Sequence, residues 1–147
     1  MTRSLYIAMA VLWVFATSEA AAQTSKELAA MAPKAWAAFV CSTSAGQAKK
    51  EQEEERLFLL GYQNGKTFIE AARAGKIREE DFRDSVPIGV SLVSQGPNAD
   101  FIVGRIYENA SDDAMEKITN PLGKYRPSDE WASAAEQEFL KGNCALL

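Results

Sequence analysis

Apolar positions recur along most of this chain with the period of an α-helix. The clearest run extends from Gln47 to Ala74 and contains no proline. At about 100° per residue, Leu57, Leu60, Gly61, Phe68, Ala71 and Ala72 fall on one side of a helical wheel, widened by Phe58, Tyr62 and Ile69. Arg56, Gln63, Lys66, Glu70 and Arg73 fill the other side. The pattern predicts an amphipathic helix buried along a broad face, with Gly75 at its C-terminal cap. The charged residues Lys49, Lys50, Glu51 and Glu53 to Glu55 form its solvated first turns. Gly61 and Gly65 sit inside this pattern, where each costs up to about 1 kcal/mol relative to alanine. Either another helix packs closely over them, or the chain turns at Asn64-Gly65.

Before this segment, Thr24-Ser25-Lys26-Glu27 reads as a capping box. Leu28, Met31, Ala35, Trp36, Phe39 and Val40 then follow helical spacing, with Pro33 kinking or dividing the helix. Ser42 to Gly46 reads as a turn. Beyond Gly75, a short helix is expected around Phe82. Ser85-Val86-Pro87 then restarts helix, with Ser85 as cap and Pro87 in the first turn. Ile88, Val90, Leu92 and Val93 fit that helix or a short strand. After the break at Gly96-Pro97-Asn98, Asp100 to Glu108 forms a helix burying Phe101, Ile102, Ile106 and Tyr107. Ser111-Asp112-Asp113 caps a further short helix to Ile118. Asn120 to Ser128 is a loop, and Ser128-Asp129-Glu130 caps a last helix through Leu140. The whole predicts a single all-α domain over residues 23–147, a small helical bundle.

Residues 1–22 have the layout of a secretory signal: Arg3, a mostly apolar stretch from Leu5 to Thr17, and Ala20-Ala21-Ala22 as cleavage site. The apolar stretch is short of the roughly 20 residues a membrane span needs. A periplasmic or secreted protein is expected, without a membrane attachment after cleavage. Its two cysteines, Cys41 and Cys144, then read as one disulfide linking the first helix to the C-terminus; two buried free thiols are the alternative. Closing about 100 residues is worth up to roughly 4.7 kcal/mol in the chain-entropy model.

The formal charge of −4 argues against nucleic acid or anionic lipid as partner. Histidine is absent, so Ser-His-Asp and Cys-His catalytic pairs are excluded. Two cysteines are too few for a sulfur-based zinc site. No catalytic residue, metal or cofactor is assigned, and the chain is not read as an enzyme. Acids are plentiful enough for a glycosidase-type carboxylate pair, which leaves a small enzyme as an alternative, but no pair stands out and a protein partner is the expected class. Tyr125, flanked by Lys124 and Arg126 between Pro121 and Pro127, has the composition of an interface hot spot. The alternative is a tyrosine folded back on the core.

Four short elements occur in a suggestive order: Phe39-Val40-Cys41, Leu59-Leu60-Gly61-Tyr62-Gln63-Asn64-Gly65, Ser85-Val86-Pro87-Ile88-Gly89-Val90 and Gly142-Asn143-Cys144. This layout resembles the Rap/Tai family of periplasmic immunity proteins, which protect bacteria from cell-wall amidases delivered by type VI secretion. The family's two inner cysteines fall at about Leu59 and Ser85, and neither is kept. Loss of both members of an inner bridge is consistent with Cys41–Cys144 as the surviving outer one. The resemblance implies an inhibitor whose partner is a toxin or wall hydrolase. The alternative is a periplasmic acid-stress chaperone similar to the HdeA type. A homodimer is left open.

Overall fold

The computed structural model describes residues 23–147; the expected signal peptide, residues 1–22, lies outside them. The helices are α1 (Ser25–Ala29), α2 (Met31–Gln47), α3 (Glu51–Arg73), α4 (Glu79–Ser85), α5 (Ile88–Ser91), α6 (Ala99–Thr119) and α7 (Trp131–Lys141). Single 3-10 turns occupy Pro121–Gly123, Ser128–Glu130 and Cys144–Leu146. No strand occurs among the described residues, so the segment Ile88 to Val93 is helix and turn. The fold is a small all-α bundle.

The capping box at Thr24 forms: the Glu27 N–H donates to Thr24 Oγ1, and the Glu27 carboxylate accepts the Thr24 N–H at 2.8 Å. The helix that begins there stops after one turn. Pro33 lacks an N–H and its ring collides with the carbonyl four residues earlier. The chain therefore breaks at Ala30, and Pro33 lies in the first turn of α2. This changes the topology of the cross-link. Cys41 belongs to the second helix, so the disulfide joins α2, not the first helix, to the C-terminal segment. The Cα atoms of Cys41 and Cys144 are 5.5 Å apart, within the usual span for a disulfide, and both residues are buried.

Helix α2 packs on α3, α6 and α7. One core cluster gathers Ala32, Ala35 and Phe39 of α2, Phe68 and Ile69 of α3, and Ile102, Val103 and Ile106 of α6, closed by Val90. A second surrounds the disulfide with Ala45, Leu57 and Phe139. A third joins Ile118 of α6 to Ala134 and Ala135 of α7. The glycines of α3 lie where helices meet. The helix is continuous through Asn64, whose side-chain amide donates to the Leu60 carbonyl. A Cβ on Gly61 would fall 2.5 Å from the Phe39 ring, and one on Gly65 would fall 3.3 Å from Val103.

Several boundaries differ from those expected. Ser42 to Gly46 is helix, not turn. Small residues here admit α3 closely, and their hydroxyls are satisfied: Ser42 donates to the Glu54 carbonyl, Ser44 to the Val40 carbonyl, and Thr43 to Ser111 Oγ of α6. The turn falls instead at Ala48–Lys50, with Lys49 in left-handed backbone at φ 62°. Lys50 and Lys49 donate their N–H groups to the carbonyls of Ala45 and Gly46, closing α2. Lys49 and Lys50 are thus a connection rather than the first turn of α3.

Ser85 ends α4 instead of capping a new helix, and Pro87 takes the N-cap position of the one-turn α5. The two helices expected between Asp100 and Ile118 are one. Asn98 caps it, accepting the Phe101 N–H at 2.8 Å, and Ser111 lies in its interior bonded to Thr43. The buried face of α6 runs through Ile102, Val103, Ile106, Ala110, Ala114 and Ile118, which leaves Phe101 outside it and exposed.

Two polar junctions tie helices together. Ser25 Oγ donates to Asp81 Oδ2 at 2.6 Å and accepts the Arg78 N–H at 2.8 Å, joining α1 to α4. The Ser25 hydrogen bond, with the Arg78 guanidinium beside it, holds the Asp81 carboxyl below its usual range against the effect of burial. Asp100 accepts from Tyr62 Oη at 2.7 Å and Lys66 Nζ at 3.0 Å, joining α6 to α3. Those two bonds likewise lower its pKa.

Candidate functional site: the loop between α6 and α7

Helix α6 ends where Asn120 leaves helical backbone at φ −139°. Pro121 follows and cannot continue the hydrogen-bond ladder. A single 3-10 turn, Pro121–Gly123, reverses the chain. Its middle residue, Leu122, has φ 58°, and Gly123 follows at φ 74°. Left-handed backbone is ordinary for glycine but costs about 1–2 kcal/mol for a residue with a Cβ. Leu122 also projects entirely into solvent, with relative exposure of 101%. Tyr125 is 87% exposed and is not folded back on the core. Lys124 is exposed beside it.

The base of the loop is held. The last four carbonyls of a helix lack intrahelical partners, and two of those in α6 are taken by one residue. The Arg126 guanidinium donates to the Ile118 carbonyl, and the Arg126 N–H donates to the Thr119 carbonyl at 2.8 Å. The Arg126 carbonyl in turn accepts the Trp131 indole N–H at 3.0 Å, tying the loop to the first residue of α7. Within the loop, Gly123 and Lys124 donate their N–H groups to the carbonyls of Asn120 and Pro121. A cleft of about 280 Å³ lies beside Leu122, with Glu116 and Glu138 among its lining residues.

The three residues singled out by sequence therefore separate in role. Lys124 and Tyr125 face solvent, whereas Arg126 is partly buried and turned back onto α6. Sequence reasoning missed Leu122, because an aliphatic residue is ordinarily read as core. The available signal was its place between Pro121 and Gly123, where a turn leaves no core to reach. Ile88 of the short α5 and Leu92, which caps its C-terminal end, are also exposed.

Among the described residues, no group of three or more Cys, Asp or Glu side chains is placed to hold a metal ion. No described helix is long and apolar enough to cross a membrane. No family model matches the chain, and neither a curated protein nor a solved structure matches it.

Proposed function

We propose that this is an exported protein-binding module that inhibits a secreted toxin or cell-wall hydrolase by inserting the 120–126 loop into the partner's cleft. The observation that carries this reading is Leu122, fully exposed and in left-handed backbone beside the exposed Tyr125. A large apolar side chain in strained backbone with no burial to reward it is a liability for folding alone. Such strain concentrates where a ligand or partner makes use of it. A loop held at its base also loses little conformational entropy on docking. The partner class comes from the resemblance in the four short elements around Cys41, Gly61, Pro87 and Cys144.

The test is hydrolysis of peptidoglycan by a secreted cell-wall amidase, the partner class that the resemblance implies, with and without the purified protein. Inhibition is expected, and Tyr125→Ala should weaken binding by about 1–2 kcal/mol, a hot-spot magnitude, with the thermal melt unchanged. Undiminished hydrolysis at saturating protein would overturn the proposal. Inhibition that Tyr125→Ala leaves intact would remove the loop from it.

A further inference from the structure

Arg126 stands between two cations' worth of expectation and one structural fact. In an acidic chain, a basic residue next to an exposed tyrosine reads as a partner contact. Its guanidinium is instead spent on the Ile118 carbonyl of its own chain. We infer that Arg126 is a positioning residue: it clasps the C-terminal end of α6 and so holds Leu122 and Tyr125 in one presented shape. The inference rests on the proposed use of this loop, and it concerns the free protein.

Three features make one residue sufficient. First, the carbonyls at the end of a helix carry partial negative charge, and a cationic side chain there meets them favourably. Second, Arg126 grips with side chain and backbone together, taking Ile118 and Thr119, two successive carbonyls. The segment between Thr119 and Arg126 is thereby closed into a short loop of fixed ends. Third, the clasp is locked from the far side. Trp131 donates to the Arg126 carbonyl, and Trp131 packs against the cluster of Ile118, Ala134 and Ala135. The side chains that project, Leu122 and Tyr125, make none of these bonds themselves. The holding and the presenting are divided between different residues.

This division predicts a separable effect. In Arg126→Gln the guanidinium bond to Ile118 is lost, while the backbone N–H and the Trp131 bond remain available. The loop should loosen without global unfolding. The protected amides to watch are Gly123, Lys124 and Arg126, which donate to Asn120, Pro121 and Thr119. Hydrogen exchange on the full mature chain should show those three amides exchanging at least about ten-fold faster, with core amides of α2 and α3 unchanged. Trypsin cleavage after Lys124 should accelerate in parallel. Arg126→Lys, which keeps the charge and a donor, should restore part of the protection.

Unchanged exchange at all three amides would overturn the inference. So would acceleration equal across loop and core, since Arg126 would then support the whole fold rather than the loop. Neither measurement uses a partner. A failure here is therefore distinct from a failure of the inhibition assay, which would leave the clasp standing and remove its proposed purpose.

Discussion

Replacing Gly61 with alanine adds one methyl group where α3 meets Phe39 of α2. That methyl would lie 2.5 and 2.6 Å from Cδ1 and Cε1 of Phe39. Phe39 cannot swing aside. It is fully buried, with the Tyr107 ring 5.2 Å and the Phe58 ring 5.9 Å from its own. The helices must separate, and overpacking of this kind costs typically about 1–3 kcal/mol. Alanine recovers up to about 1 kcal/mol of helix propensity. With a ring this enclosed, the net loss should be about 1–2 kcal/mol. Two other helical glycines provide internal controls. A Cβ at Gly65 would sit 3.3 Å from Val103 Cγ2, a contact that a shift of a few tenths of an ångström relieves. Strain and propensity should nearly cancel there, to within about 0.5 kcal/mol. A Cβ at Gly104 meets nothing within 4 Å, so Gly104→Ala should gain about 0.5–1 kcal/mol. Urea unfolding followed by far-ultraviolet circular dichroism should rank the midpoints as Gly104→Ala, then Gly65→Ala, then Gly61→Ala. A Gly61→Ala midpoint equal to that of Gly104→Ala would refute the claim that Gly61 sets the approach of α2 to α3.

The disulfide should leave no thiol reactive in native protein, and Cys41→Ala should destabilise by roughly 2–5 kcal/mol in the same unfolding assay. Leu122→Gly removes an exposed side chain from left-handed backbone, so stability should hold or rise by up to about 1 kcal/mol, while inhibition of the toxin falls; a clear loss of stability would show that Leu122 packs on something. The Asp81 carboxyl is held below its ordinary value of 3.8 by Ser25 and then by Arg78 and Lys26. Because its pKa is depressed by folding, its contribution is complete above the unfolded value and lost as pH falls through the folded one. The junction of α1 with α4 should therefore loosen only below about pH 4, and Asp81→Asn should flatten that part of the stability curve; an unchanged curve would show that the junction is not governed by this carboxyl.

The phase of α3 was legible because Leu57, Phe68 and Ala71 repeat at helical spacing over a long stretch, and one period error would have exposed them all. The capping box at Thr24 and the C-terminal Gly75 were legible because each acts through its immediate neighbours. Ser42 to Gly46 misled because their turn-forming chemistry is also what allows close helix contact. Their hydroxyls find Glu54 and Ser111, residues far along the chain. Ser111 misled for the reciprocal reason: a good cap residue became a cross-helix partner and α6 ran on. At the site, the prolines and glycine around Tyr125 marked a loop but left open whether the ring projects or folds back, and the structure shows it exposed. The turning inward of Arg126 was not legible, because its partners are carbonyls, which every residue carries and no sequence pattern marks.

The two half-cystines are 103 residues apart, and that interval contains α3 through α7. No nascent chain can close the bond until all of those helices have been delivered. Until then Cys41 is a thiol in a helix whose α7 packing surface is still unfilled. A ring of this size has a large closure entropy, and native packing of α2 against α7 greatly reduces the search for it. Oxidation therefore comes late in maturation, as a consequence of correct assembly. Once α2, α7 and the C-terminal turn bury both sulfurs, reductants reach them only through an opened molecule. The bond then marks chains that have finished folding, and it withdraws them from further thiol exchange.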